Sequence, residues 1–137
     1  DGAVLTGGGS VLAALSRDLR TFAEGVGGRE QMAIEAFAGA LEVIPRTLAE
    51  NAGLDPVNTI IDVRKAHAEG KSTFGVNVFE GGVMDMKDAN VVEPVRVVEQ
   101  AIQSATETAT MILRIDDVIS SKGVSLGNEG MMDGMDL

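Results

Sequence analysis

The sequence predicts a mainly α fold with a small β-hairpin and short edge strands, within one globular unit. Three observations carry this. Apolar residues recur at helical spacing over most of the 137 residues. One stretch, "TFGVNVFEGGVMDM", abandons that period for two short β-branched runs either side of "EGG", the signature of a hairpin. Aromatic residues make up only 3% of the chain against 45% apolar, so Ala, Val, Ile, Leu and Met must fill the core, which favours closely approaching helices.

Ala3 to Thr6 reads as a short strand ending at Gly7, Gly8 and Gly9. From Ser10, a good N-cap, Val11, Leu12, Leu15, Leu19 and Phe22 fall at helical spacing until Gly25, and "GVGG" makes the turn. A second helix is expected from about Arg29 through Met32, Phe37 and Leu41 to Ile44. Pro45 should break or kink it, because proline removes a donor and crowds the preceding turn. "RTLAENAG" reads as a short continuation closed by Gly53, and the next helix starts with Asp55 as N-cap and Pro56 at its first position, stopping at Gly70. After the hairpin, the longest helix follows Pro94 with Val97, Val98, Ala101, Ile102, Ala105, Ala109 and Ile112. "RIDDVISSK" is expected as a polar-flanked edge strand, and the Gly- and Met-rich 123–137 as a disordered tail. The domain itself is expected to span 1–122.

A net charge of −10 opposes any sequence-independent attraction to phosphate backbones, so no nucleic-acid partner is expected. The apolar runs fall far short of the roughly 20 residues of a membrane span, so no membrane partner is expected. The absence of Cys fits a reducing compartment, and a cytoplasmic location is the expectation. The chain begins with Asp1, as expected of a piece of a longer polypeptide.

Gly7–Gly9 lie between a strand and a helix N-terminus, where free backbone N–H groups receive an anion or a flat ring approaches the backbone. A tight turn with close helix–strand packing is the alternative, and the pattern is neither G-x-G-x-x-G nor a P-loop. Glu93, just before Pro94, reads as a carboxylate placed for the dipole of the long helix. Alternation puts Asn77 and Phe79 on one face of the hairpin and Val76 and Val78 on the other, to line an adenine slot or to cover the core. His67 has no second His and no Cys to form a metal site or a triad, and is expected at the surface. Asp116 and Asp117 form an acidic doublet expected at a solvated strand end.

"GGREQMAIEAFAGALEVIPRTLAENAGLDP", "FGVNVF", "VVEP" and "QAIQSATETATMILRIDDVI", in this order and spacing, closely resemble the C-terminal part of the equatorial domain of group II chaperonins, the archaeal thermosome family. The resemblance runs from Asp1 to about Lys122. It implies a double-ring ATPase that folds unfolded client proteins, with other chaperonin subunits as ring partners and ATP/ADP as the bound nucleotide. It places Gly7, Gly8 and Gly9 against ribose and base, Asn77, Val78 and Phe79 along the adenine, and Glu93 on the ribose hydroxyls. It also implies that "RIDDVISSK" is a strand at the subunit contact and that the tail projects into the central cavity. The family's "GDGT" phosphate loop, its magnesium aspartate and its hydrolytic aspartate belong to other segments, which supply phosphate and Mg binding. These 137 residues alone are therefore expected not to hydrolyse ATP. The competing reading is a stand-alone helical assembly or interaction module that kept the fold without the ATPase.

Overall fold

A computed structural model describes the backbone of residues 3–133 and the side chains of residues 3–114. Its elements run β1 (Val4–Thr6), α1 (Ser10–Glu24), α2 (Gly28–Leu41), α3 (Val43–Asn51), α4 (Pro56–Ala68), β2 (Phe74–Val76), β3 (Val83–Asp85), β4 (Val92–Pro94) and α5 (Val95–Asp133). The mainly α expectation holds, with β1–β4 and β2–β3 as two antiparallel pairs.

Several boundaries follow from local chemistry. The Asp55 side chain accepts from the Val57 and Asn58 N–H groups at the start of α4, and Pro56 sits where a missing N–H costs nothing. Gly53 and Gly70 close α3 and α4 with paired return bonds, Leu54 N–H to Ala49 O with Gly53 N–H to Glu50 O, and Lys71 N–H to Ala66 O with Gly70 N–H to His67 O.

Other expectations change. Ser10 does not cap α1: Gly9 is the N-cap residue, while the buried Ser10 hydroxyl reaches Thr6, tying helix to strand. The break after α2 falls at Glu42, not Pro45. Pro45 occupies the first turn of α3, where helix donors are unpaired anyway. Arg114–Lys122, expected as a strand, lies within helical α5. Ile112, Ile115, Val118 and Ile119 repeat at helical intervals, and among the described residues β1 and β4 pair only with each other, leaving the segment no strand partner. Of the expected tail, 123–133 fall within the span of α5 and 134–137 lie outside the described residues. The side chains of Asp116 and Asp117 are likewise outside them.

The core has two clusters. Leu12, Leu41, Val98 and Ala105 join α1, α2 and α5, and Ala13, Ala49, Val63 and Val76 join α1, α3, α4 and β2. Adjacent residues of α1 thus serve both clusters. Small residues allow close approach, and the buried Ser16 hydroxyl donates to Ala38 O on α2 at 2.8 Å.

Where α2 meets α3, the Glu42 side chain is 1% exposed and gathers two guanidiniums. Arg64 of α4 donates from Nε to Oε2 at 2.8 Å and from Nη2 to Oε1 at 2.6 Å, and Arg20 of α1 reaches Oε1 at 2.7 Å. Burial by itself pushes the Glu42 carboxyl up, but the Arg64 and Arg20 hydrogen bonds and charges outweigh it and hold the group below the usual range. One carboxylate therefore ties four helices.

The glycine loop is wedged between other segments. The Gly7 N–H donates to Val91 O and the Val76 N–H to Gly8 O. Gly8 has φ +63°, and a Cβ there would lie 2.6 Å from Met86 Cε; at Gly9 it would lie 2.6 Å from Pro45 Cβ. Across the contact, a Cβ on Gly75 would stand 2.7 Å from the Gly8 carbonyl oxygen.

Arg64→Met should cost roughly 2–3 kcal/mol in urea unfolding, since it strips the buried carboxylate of its bidentate partner while losing a guanidinium that is partly in water. Glu42→Leu should cost less, because both guanidiniums still reach solvent. The lowered carboxyl means that the clamp stabilises fully above the ordinary Glu value of about 4.3 and fades as pH falls through the depressed folded value. Wild type, unlike Glu42→Leu, should lose stability in that window. Gly75→Ala should lower stability by about 1–3 kcal/mol, because its obstacle is main chain that has no rotamer to change.

Candidate functional site

β1 and β4 pair with Leu5 opposite Glu93 and Val4 opposite Pro94, and the Gly7 N–H extends the ladder to Val91 O. This register sets Glu93, two residues before the start of α5, beside the start of α1 as well. The Gly9 backbone amide is the polar group of the loop that acts on the Glu93 carboxyl. Burial pushes the carboxyl up, and the Gly9 bond pulls the other way without cancelling it. Glu93 is half-buried, a charged acceptor with incomplete solvation.

Next to it opens a cleft of about 450 Å³, lined by Gly8, Ile44, Thr47, Leu48, Val91, Val92, Glu93, Pro94 and Val97. That volume suits a small molecule. Its walls are mostly aliphatic, Glu93 is the only ionisable lining residue, and no Lys or Arg is among them. Such a surface takes a flat apolar group with hydroxyls to offer a carboxylate. It holds nothing to neutralise phosphates.

Of the residues singled out from the sequence, Gly8 and Glu93 line this cleft together. Gly7 and Gly9 flank it through the same loop, with the Gly9 amide acting on the Glu93 carboxyl. Asn77, Val78 and Phe79 do not line it. The expected alternation of faces fails there because 77–82 is a turn and not strand: Asn77 Oδ1 accepts from the Phe79 and Glu80 N–H groups at 3.0 and 3.1 Å. Phe79 is 83% exposed at its tip. The hairpin still touches the glycine loop one residue earlier, through Val76.

His67 is buried, contrary to the surface position expected. Its Nε2 lies 2.8 Å from Phe74 O, so it donates to β2 and pins the hairpin to α4. A lone histidine near lysine and glutamate in the sequence carries no sign of that contact, made seven residues away. Gly75 and Thr47 also escaped the sequence reading, Gly75 because its neighbours are distant in the chain and Thr47 because it is one helical threonine among several.

The chain from residue 1 to 123 matches the TCP-1/cpn60 chaperonin family. It is 56% identical over 97% of its length to thermosome subunit 1 of Haloferax volcanii, of which it covers 24%, and 59% identical over 89% of its length to thermosome subunit alpha of Thermoplasma acidophilum, covering 22%. The open-state monomer of a group II chaperonin from Methanococcoides burtonii superimposes with a TM-score of 0.70 at 49% identity, covering 81% of this chain and 28% of that one. The chain thus spans about a quarter of the length of the relatives it matches. With that coverage, identity and shared fold, the chain belongs to the TCP-1/cpn60 chaperonin family.

Proposed function

We propose that this chain is part of a group II chaperonin subunit that folds unfolded proteins in an ATP-dependent cycle, and that it supplies the base-and-ribose side of the nucleotide site. The observation that carries the reading is the cleft in which Gly8, aliphatic Ile44, Leu48 and Val97, and the half-buried Glu93 meet. These residues fit a nucleoside. The aliphatic groups offer apolar surface to a base, and Glu93 is an acceptor for sugar hydroxyls whose own solvation is already reduced. ATP, when bound, supplies the phosphoryl group whose hydrolysis drives the cycle. Because the cleft has no cationic lining, phosphate and Mg binding fall to other segments of the complete subunit. Residues 1–122 form the domain portion in this reading, with Gly7, Gly9, Asn77, Val78 and Phe79 bordering the nucleotide as the family resemblance implies. Ring contacts with other subunits, clients enclosed by the ring and a cytoplasmic location complete it.

Gly8 is a poor place to test the reading, since any side chain there meets Met86 at φ +63° and disturbs the fold itself. Glu93 is the cleaner probe. In the complete subunit, Glu93→Ala should weaken ADP binding roughly ten- to a hundredfold, the value of a hydrogen bond to a charged group, as read by isothermal titration. Equal dissociation constants for the two proteins would sink the proposal. Binding should also weaken as pH falls through the raised carboxyl value, because the protonated group loses acceptor capacity. For the empty protein the sign is opposite: a raised folded value means the native state holds the proton more tightly than the unfolded chain, so Glu93 costs stability at neutral pH. Glu93→Gln should therefore raise the thermal midpoint at pH 7 while weakening ADP, with the gain in midpoint disappearing under acidic conditions where wild-type Glu93 is already protonated.

A further inference from the structure

His67 is only 5% exposed, and its Nδ1 is the one buried side-chain polar atom, among the described residues, with no hydrogen-bond partner. The imidazole is therefore held by Nε2 alone, through the 2.8 Å bond to Phe74 O. What that bond does follows from where it lands. β2 faces β3 through residues 73, 75 and 77: Met86 N–H donates to Thr73 O, Asn77 N–H donates to Gly82 O, and Gly75 stands opposite Met84. In an antiparallel pair the residues between these turn their backbone groups away from the partner strand. Phe74 and Val76 are those residues. On this outer edge Phe74 O accepts from His67, and the neighbouring Val76 N–H donates to Gly8 O at 2.9 Å. His67 and the glycine loop thus occupy adjacent slots on one edge of one strand, and Gly75 between them is too crowded for a Cβ.

We infer that His67 is a positioning residue for the cleft: by fixing Phe74 O it sets the place at which β2 receives Gly8, and so sets Gly8 relative to Glu93. The inference rests on the nucleoside reading above and adds to it a group that touches no ligand. A three-residue strand paired only with β3 has little stiffness of its own. A side chain anchored in α4 therefore decides where its outer edge lies. The anchor is firm, since His67 belongs to the last turn of α4, where Val63 and Ala66 are also buried. A displaced β2 carries the loop with it, because Gly8 is already in close contact with Val76 and Met86.

The test uses the complete subunit with three variants. His67→Leu fills the space without a donor, the His67→Gln amide reaches the position of Nε2, and the His67→Asn amide stops at that of Nδ1. ADP dissociation constants are measured well below the thermal midpoint, where lost global stability alone leaves binding unmoved. Amide exchange is followed in parallel for the peptide carrying Val76 and the α5 peptide carrying Val98. His67→Leu and His67→Asn should weaken ADP about three- to tenfold, the range of one neutral hydrogen bond. Both should speed exchange at Val76 but not at Val98, and His67→Gln should behave as wild type. Unchanged ADP binding in His67→Leu overturns the inference even where Val76 exchanges faster, because the effect of the bond then ends at the strand. Equal weakening by all three variants, or faster exchange at Val98, makes His67 merely structural and overturns it as well. Should His67→Leu fail to fold, His67→Asn against His67→Gln carries the same comparison. Glu93→Ala separates the two levels: if it weakens ADP while His67→Leu does not, only the positioning role fails, whereas no effect of Glu93→Ala removes the nucleoside site and the role of His67 in it.

Discussion

The packing of the first four helices depends on a single buried carboxylate. Glu42 lies where α2 hands over to α3, at φ −76° and ψ −6°, and its side chain meets one guanidinium from α1 and another from α4. An unpaired charge in that position is costly, and two partly solvated arginines convert it into a clamp. The arrangement fixes orientation more than it adds stability, because a carboxylate bound in two directions leaves little freedom to rotate α1 against α4. α3, whose first residues follow Glu42, carries Ile44, Thr47 and Leu48 to the cleft from this fixed origin.

The other side of the cleft is set by an interlock of glycines. The Gly8 carbonyl receives the Val76 N–H, and Gly75 presents a bare Cα to the same carbonyl. His67 holds the strand through Phe74. A path of hydrogen bonds therefore runs from the His67 side chain of α4 through β2 to the glycine loop. The glycines serve the packing of the chain on itself before they serve any ligand, and an open approach to the cleft is a by-product of that packing.

Much of this was legible in the sequence where the cause was local. Asp55-Pro56, Gly53 and Gly70 mark helix ends because their effects act within four residues, and the change of period at Thr73 marks the hairpin. Gly8 and Glu93, singled out through motif resemblance, do line one cleft together. What could not be read were contacts made across the fold. Glu42 bonds Arg20 and Arg64, each 22 positions away in opposite directions, and sequence spacing carries no trace of such pairs. Gly75 looks like an ordinary strand residue until Gly8 is set against it. Pro45 pointed to a break in the right region, but the first turn of a helix accepts proline, so the boundary moved three residues earlier. The strand expected at Arg114–Lys122 lies instead within helical α5, because short β-branched runs fit either period and, among the described residues, no strand pairs with it.

The four close glycine contacts differ in what stands opposite them, and that difference grades how freely each position can drift. At Gly7 the nearest obstacle is Val91 Cγ1, a side-chain atom that a smaller residue at 91 would withdraw. At Gly8 and Gly9 the left-handed backbone persists whatever replaces Met86 or Pro45. At Gly75 the obstacle is the main chain of the loop itself, which no substitution elsewhere removes. A smaller residue at 91 therefore relieves only part of the crowding at position 7, where the Val91 main chain still stands at 3.3 Å, while 75 is bound to a glycine with no compensating partner, so the contact between loop and hairpin is the part of this interlock least open to change.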